Sequence, residues 1–214
     1  MGTKVKNKIT LYSDKTDVES HIIRFIMHAK DINFITKFND EEENIEELST
    51  LSNHCFWPSI EENGLILHQI QIMIDYLDDR FPHPALSPVE PGARAQNKIM
   101  AWEIYKDWMT KIKICSDPNE SNINKSNAAK ELKKSILSIE EIFDHKKYFM
   151  SDTFTYVDAI IGCIFWRLHV SGVKIPKSSK KIHEYMNRIF TMSNFEKSLS
   201  AEEEDFEDLS YILK

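Results

Sequence analysis

Phe56-Trp57-Pro58-Ser59-Ile60-Glu61-Glu62-Asn63-Gly64-Leu65-Ile66-Leu67 reads as two short strands, Phe56–Ile60 and Leu65–Leu67, with Asn63-Gly64 as the turn between them. Asn-Gly supplies the positive φ angles that a tight hairpin needs. The proline stands at the strand start, where a missing N–H is tolerated, and the Trp57-Pro58 bond is a candidate for cis, which costs an X–Pro bond only about 0.5–1 kcal/mol. Upstream, Ile9-Thr10-Leu11-Tyr12 predicts a strand, and Asp17 caps a helix whose apolar face is Val18, Ile22, Ile26 and Ala29. Ile32 to Phe38 reads as a second strand, and the acidic run Asp40 to Glu47 leads into a short helix ending near Leu51. Downstream, Ile70, Met73, Ile74, Leu77 and Phe81 share one helix face, so the order is β-α-β-α-β-β-α.

The texture changes at Phe81 to Pro91, where Pro82, Pro84, Pro88 and Pro91 predict an extended linker. Beyond Gly92 every signal is helical. Ile99, Trp102, Lys106, Met109 and Ile112 open a long helix, and Leu132, Ile136, Ile139 and Phe143 mark another; the polar stretch Asp117 to Asn127 reads as the loop between them. Val157 to Leu168 is apolar nearly all round, so this helix must be buried on all sides. Thr155 and Asp158 form a capping box at its start, with Phe154 placed as a staple. Ile182, Tyr185, Met186, Ile189 and Phe190 make a further amphipathic helix, and the acidic tail from Ala201 is expected to be frayed or exposed.

Composition bounds the function. With 42% hydrophobic residues the chain folds, and no apolar run reaches the roughly 18–20 residues of a membrane span. The basic residues Met1 to Lys8 lead into no signal segment, so a cytoplasmic location is expected. Three scattered cysteines, Cys55, Cys115 and Cys163, form neither a CxxC pair nor a zinc ribbon, and Cys55 reads as structural. His21 and His28 can share a helix face, but no third metal ligand joins them. A net charge of −7 argues against direct nucleic-acid binding, and Lys174, Lys177, Lys180 and Lys181 read as a solvated helix start.

The β-α-β-α-β-β-α order, the proline linker and the helical half resemble the glutathione transferase superfamily. The resemblance implies an α/β plus all-α protein: a thioredoxin-like domain over 1–84 and an all-helical domain over 92–214, joined by a proline-rich linker over 81–91. In thioredoxin-like domains a cis-proline at this strand presents the preceding backbone to a thiol or peptide ligand. The superfamily segment Leu-x-Glu-Ser-x-x-Ile-x-x-Tyr-Leu corresponds here to Leu67-His68-Gln69-Ile70-Gln71-Ile72-Met73-Ile74-Asp75-Tyr76-Leu77. The hydrophobic positions survive, but the Glu-Ser pair that holds glutathione has become His68-Gln69. Thiol activation would fall to Ser13, Thr16 or Ser20, beside Asp14 and Asp17, whose charge disfavours a thiolate. A glutathione-dependent transferase or related thiol enzyme, with its pocket around Ser13, Trp57 and Gln69, is therefore the alternative reading.

A narrower resemblance lies in Asp75-Tyr76-Leu77-Asp78-Asp79-Arg80-Phe81-Pro82-His83-Pro84 with Leu86, Pro88 and Pro91, in Asp14 to Ser20 with His21, in Lys106-Asp107-Trp108, in Tyr148-Phe149-Met150-Ser151-Asp152 and in Trp166-Arg167-Leu168. These look like the stringent starvation protein A family. The resemblance implies a non-enzymatic bacterial transcription regulator without cofactor, catalytic residue or metal, which binds RNA polymerase holoenzyme and its primary sigma factor under starvation or acid stress. It also implies a homodimer, or a heterodimer with a paralogue, joined through the third helix and the hairpin side. Pro82, His83 and Pro84 match the segment that lines the family's functional surface. Prolines keep such a loop rigid, so docking loses little entropy. Glu90 departs from the aromatic residue common between the later prolines.

Overall fold

The computed structural model describes residues 9–52 and 55–206; the basic N-terminal stretch 1–8 and the end of the acidic tail lie outside them. Strand β1 (Ile9–Ser13) is followed by α1 (Val18–Ala29), β2 (Phe34–Phe38), α2 (Glu42–Leu51), β3 (Ser59–Glu62), β4 (Leu65–Leu67) and α3 (Ile70–Arg80). The four strands form one sheet in the order β2-β1-β3-β4. β1 runs parallel to β2, from Ile9 opposite Phe34 to Ser13 opposite Phe38. It lies antiparallel to β3, which in turn pairs antiparallel with β4 through Ile60 and Leu67. Asn63 and Gly64 take φ of 53° and 83°, as the hairpin requires, and the Trp57–Pro58 bond is cis. Asp17 caps α1 by accepting from the Ser20 amide at 2.8 Å. Two boundaries shift from expectation: β2 starts at Phe34 rather than Ile32, and β3 starts at Ser59, because Trp57 and Pro58 lead into the ladder without joining it.

Helices α4 (Pro91–Ile104), α5 (Thr110–Ser116), α6 (Asn122–Ser138), α7 (Ile142–His145), α8 (Tyr156–Trp166), α9 (Lys180–Phe190), α10 (Ser193–Glu196) and α11 (Ala201–Glu204) follow. α4 begins on Pro91 itself, where proline's missing N–H costs nothing. A π-helical turn over Tyr105–Met109 joins α4 to α5. The core receives Ala101, Ile104, Trp108, Met109 and Ile112, whereas Ile99 and Trp102, read as face residues, are 59% and 53% exposed. The expected loop from Asp117 to Asn127 ends early, because Ser121 caps α6 by accepting from the Asn124 amide at 3.2 Å.

α8 is the hub of the helical half. Every residue from Tyr156 to Trp166 is buried, and full burial of such apolar side chains is worth about 1.5–3 kcal/mol each. Gly162 lets α9 approach: a Cβ there would lie 2.7 Å from Ile189 Cγ2. The Thr155–Asp158 capping box is present, and Asp158 also accepts from the Phe149 amide and the Tyr185 hydroxyl, both at 2.8 Å. Burial pushes its carboxyl up to about 6, against the pull of those donors. Phe154 packs on Phe25 of α1, with ring centroids 5.2 Å apart, tying this end to the first half.

The acidic tail is the largest departure from expectation. Glu203 is wholly buried rather than frayed. It closes a capping box with Ser200 on α11 and accepts from Arg24 of α1 at 2.5 Å and from Arg167 just after α8. Arg24 also donates to Ser13 Oγ, to the Asp14 carbonyl and to the Ser198 carbonyl. Arg167 donates to the carbonyls of Thr16 and Cys163 and to His21 Nδ1, the last at 2.9 Å. Guanidinium can only donate, so His21 is neutral with its proton on Nε2, facing Ser198 Oγ at 3.0 Å.

Candidate partner-binding surface

Between α3 and α4 the chain passes over the surface in a loop fastened at both sides. On one side Asp78, in the last turn of α3, accepts from the amides of Leu86 at 3.0 Å and Ser87 at 3.1 Å. Lys30, the C-cap of α1, is 3% exposed; its Nζ donates to Asp78 at 2.7 Å and to the Pro84 carbonyl at 2.8 Å. Burial works to raise the Asp78 carboxyl, but the bonds from Lys30, Leu86 and Ser87 outweigh it and hold the group below its ordinary value. On the other side Leu86 is buried, and its carbonyl accepts from the Tyr156 amide at 3.1 Å, at the start of α8.

The residues between these fastenings face outward. Pro82, His83, Pro84 and Ala85 are all exposed, and the His83–Pro84 bond is cis, which the sequence did not announce. His83 and Pro82 border a cleft of about 470 Å³ whose other walls include Asp75, Asp79, Arg94 and Lys98. The three sequence-chosen residues are thus consecutive and exposed, and two of them, Pro82 and His83, border the cleft. Glu90 has a local duty: it caps α4, accepting from the amides of Gly92 at 2.8 Å and Ala93 at 2.6 Å, which holds its carboxyl below the ordinary range.

The residues of the alternative reading are split apart. Trp57 and Gln69 line a second cleft, of about 520 Å³, with Phe56, Pro58, His68 and Tyr105. Ser13 does not reach it. Its side chain is fully buried, donating to the Asp14 carbonyl and accepting from Arg24. Ser20 is buried and accepts from the Asp14 amide, and Thr16 is held by Asp14 at the surface. Gln69 has φ of 74° and makes no cap bond to α3. His68 stacks on Phe56 at 5.0 Å, and Glu19 adds a carboxylate to the wall, bonded to the Tyr105 hydroxyl at 2.6 Å. His68 and Gln69 stand where the superfamily carries the Glu-Ser pair, and the Glu19 carboxylate adds a negative charge to the cleft wall.

The remaining candidates have other roles. His21 belongs to the buried ionic cluster, and His28 packs edge-on against Phe34 at 5.0 Å. Cys55, read as structural, is exposed, Cys115 is half-buried and Cys163 is buried. Among the described residues no helix is long and apolar enough to cross a membrane. Lys30 and Asp78, which hold the loop, were missed: Asp78 lies inside a quoted motif, but the lysine that pairs with it is 48 residues away and carries no local signal.

A family model described as the glutathione S-transferase C-terminal domain matches residues 100–192. A solved theta-class glutathione S-transferase with glutathione bound, from Xanthomonas axonopodis pv. citri, superimposes with a TM-score of 0.77 at 11% identity, covering 90% of this chain and 97% of that one. The stringent starvation protein A homolog of Histophilus somni is 34% identical over 201 residues, covering 92% of this chain and 94% of its own. That of Coxiella burnetii is 30% identical over 207 residues, covering 95% and 97%. With such identity sustained across both halves of the molecule, on a glutathione-transferase fold, the chain belongs to the stringent starvation protein A family.

Proposed function

We propose that this protein is a non-enzymatic transcription regulator of the bacterial cytoplasm that binds RNA polymerase holoenzyme and its primary sigma factor under starvation or acid stress, and that Pro82, His83 and Pro84 are its contact residues. The observation that carries the reading is the exposed loop held between the Lys30–Asp78 pair and the Leu86–Tyr156 bond. A loop already fixed in place loses little entropy when a large partner closes on it, and His83 offers a flat ring and a hydrogen bond at its crest. The reading treats 1–84 and 92–214 as two domains and 81–91 as their linker, with no cofactor and no catalytic step. The chain pairs with a second copy or a paralogue through α3 and the β3–β4 hairpin, a side where Leu65 and Ile72 are 45% and 49% exposed.

A pull-down from native bacterial lysate tests the proposal. Wild-type protein is expected to recover polymerase subunits, and a Pro82→Ala, His83→Ala, Pro84→Ala triple variant to lose them at unchanged helicity. Equal recovery by both proteins removes the site, and no polymerase with either removes the function. The transferase alternative predicts retention on glutathione resin and conjugation of a chlorinated aromatic substrate; the buried Ser13 hydroxyl supports neither.

A further inference from the structure

On the helical half, away from the loop, α6 and the turn 170–174 after α8 enclose a cleft of about 550 Å³. Ser126, Ala129, Lys130 and Lys133 recur at helical spacing along one wall, Lys125 adds to it, and Lys174 closes the other side. Among the described residues no carboxylate lines this cleft, in a chain whose net charge is −7. Among the described residues none of these four lysines has an ion-pair partner, although lysines 15, 30, 37, 98, 111, 113, 146 and 181 all do. Four like charges converging without counter-charge repel one another and hold a local positive potential.

A second feature points inward. Ser171 lines the cleft and is only 8% exposed, and its hydroxyl oxygen is buried with no hydrogen-bond partner among the described residues. Such a group costs about 1–3 kcal/mol unless something completes it. The sequence read Lys174 as part of a solvated helix start; it is exposed, in the loop before α9, where it lines the cleft across from α6.

We propose that this cleft is a binding site for a phosphate chain, a small anion of two or more linked phosphoryl groups. The lysine ammoniums neutralise its charges, and the Ser171 hydroxyl donates to one oxygen. The volume falls in the range of small-ligand sites, and convergent ammoniums beside a hydroxyl are the donor set that charge-assisted binding of phosphate oxygens uses. The exposed Val170 on the rim leaves room for an attached apolar or nucleoside group without requiring one.

Calorimetric titration of the full chain at low salt, with inorganic tripolyphosphate in one arm and adenosine triphosphate in the other, tests the site. Saturable binding is expected. The Lys130→Ala, Lys133→Ala double variant is expected to weaken it by about tenfold or more, and Ser171→Ala by a few-fold. A Lys177→Ala, Lys180→Ala control, which removes the same charge elsewhere, leaves the affinity within about twofold. Tighter binding of the nucleotide assigns the chain to a nucleotide, and equal or tighter binding of tripolyphosphate assigns it to an inorganic anion; both support the site. Absence of saturable binding in both arms, or equal weakening by the two double variants, overturns it.

Discussion

Arg24 and Lys30 both leave α1, one from its middle and one from its C-cap, and each ends on a carboxylate: Arg24 on Glu203, Lys30 on Asp78. Arg24, Arg167 and Glu203 are almost wholly enclosed; all three nitrogens of the Arg24 guanidinium and both terminal nitrogens of Arg167 donate to protein acceptors. This cluster joins α1, the end of α8 and α11 into one block, and it displays nothing. Lys30 is as deeply buried, but Asp78 is partly open to solvent, and the backbone that the pair grips continues outward through Pro84 and His83. The same chemistry locks the chain in one place and presents it in the other. The difference lies in which partner's backbone is left outside.

Removing one partner of the enclosed cluster gives the largest expected effect. Glu203→Ala strands Arg24 and Arg167 without their shared carboxylate, and loss of one member of a buried pair costs about 3–5 kcal/mol. Urea unfolding measures it, and a loss below about 1 kcal/mol would show that solvent enters the cluster freely. Asp78→Ala comes next. It orphans the Leu86 and Ser87 amides and the Lys30 ammonium, for about 1–3 kcal/mol, and hydrogen exchange at Leu86 should accelerate while α8 stays protected. Unchanged exchange at Leu86 would mean that the loop needs no such fastening.

A smaller effect is set by pH. His21 is held well below its ordinary value by burial first, then by Arg167 and Arg24. Glu203 Oε1, 3.7 Å from Nδ1, and Ser198 are its other polar neighbours. The unfolded chain takes up a proton near pH 6.5 that the folded chain refuses. Stability from this group is therefore complete above pH 6.5 and falls as pH drops below it, by at most about 1.4 kcal/mol per pH unit. His28, also depressed by burial, adds to the slope, and Asp158, raised by burial, opposes it. A His21→Gln variant should show the shallower slope between pH 6.5 and 5, and an equal slope in both proteins would place a protonated imidazole in the cluster. The smallest effect belongs to the displayed residues. The Pro82, His83, Pro84 triple alanine variant should change unfolding free energy by no more than about 0.5 kcal/mol, and a larger loss would make the loop part of the core.

Local chemistry explains which features the sequence made legible. Asn63-Gly64, Asp17 as a cap, the Thr155–Asp158 box and the all-apolar α8 each carry their cause within a few residues. Trp57-Pro58 and the exposed proline loop were likewise readable. Glu203 was not, because its partners lie 179 and 36 residues away and its neighbours Glu202, Glu204 and Asp205 make it look like one charge in a solvated run. One local sign was available: Ser200 followed three residues later by Glu203 is a capping box. The face of α4 was misread because Ile99 and Trp102 are large and apolar at helical spacing, while the buried face is carried by Ala101 and Ile104. Ser13 looked like a thiol activator because the guanidinium that claims its hydroxyl belongs to the next element.

Photo-crosslinking puts the central claim to its most direct trial. A benzophenone amino acid placed at His83, with a second protein carrying it at the exposed Ile123 of α6, is irradiated with purified RNA polymerase holoenzyme. Crosslinks to a polymerase or sigma subunit from position 83, and none from 123, are the predicted result. Holoenzyme captured from position 123 but not from 83 would contradict it.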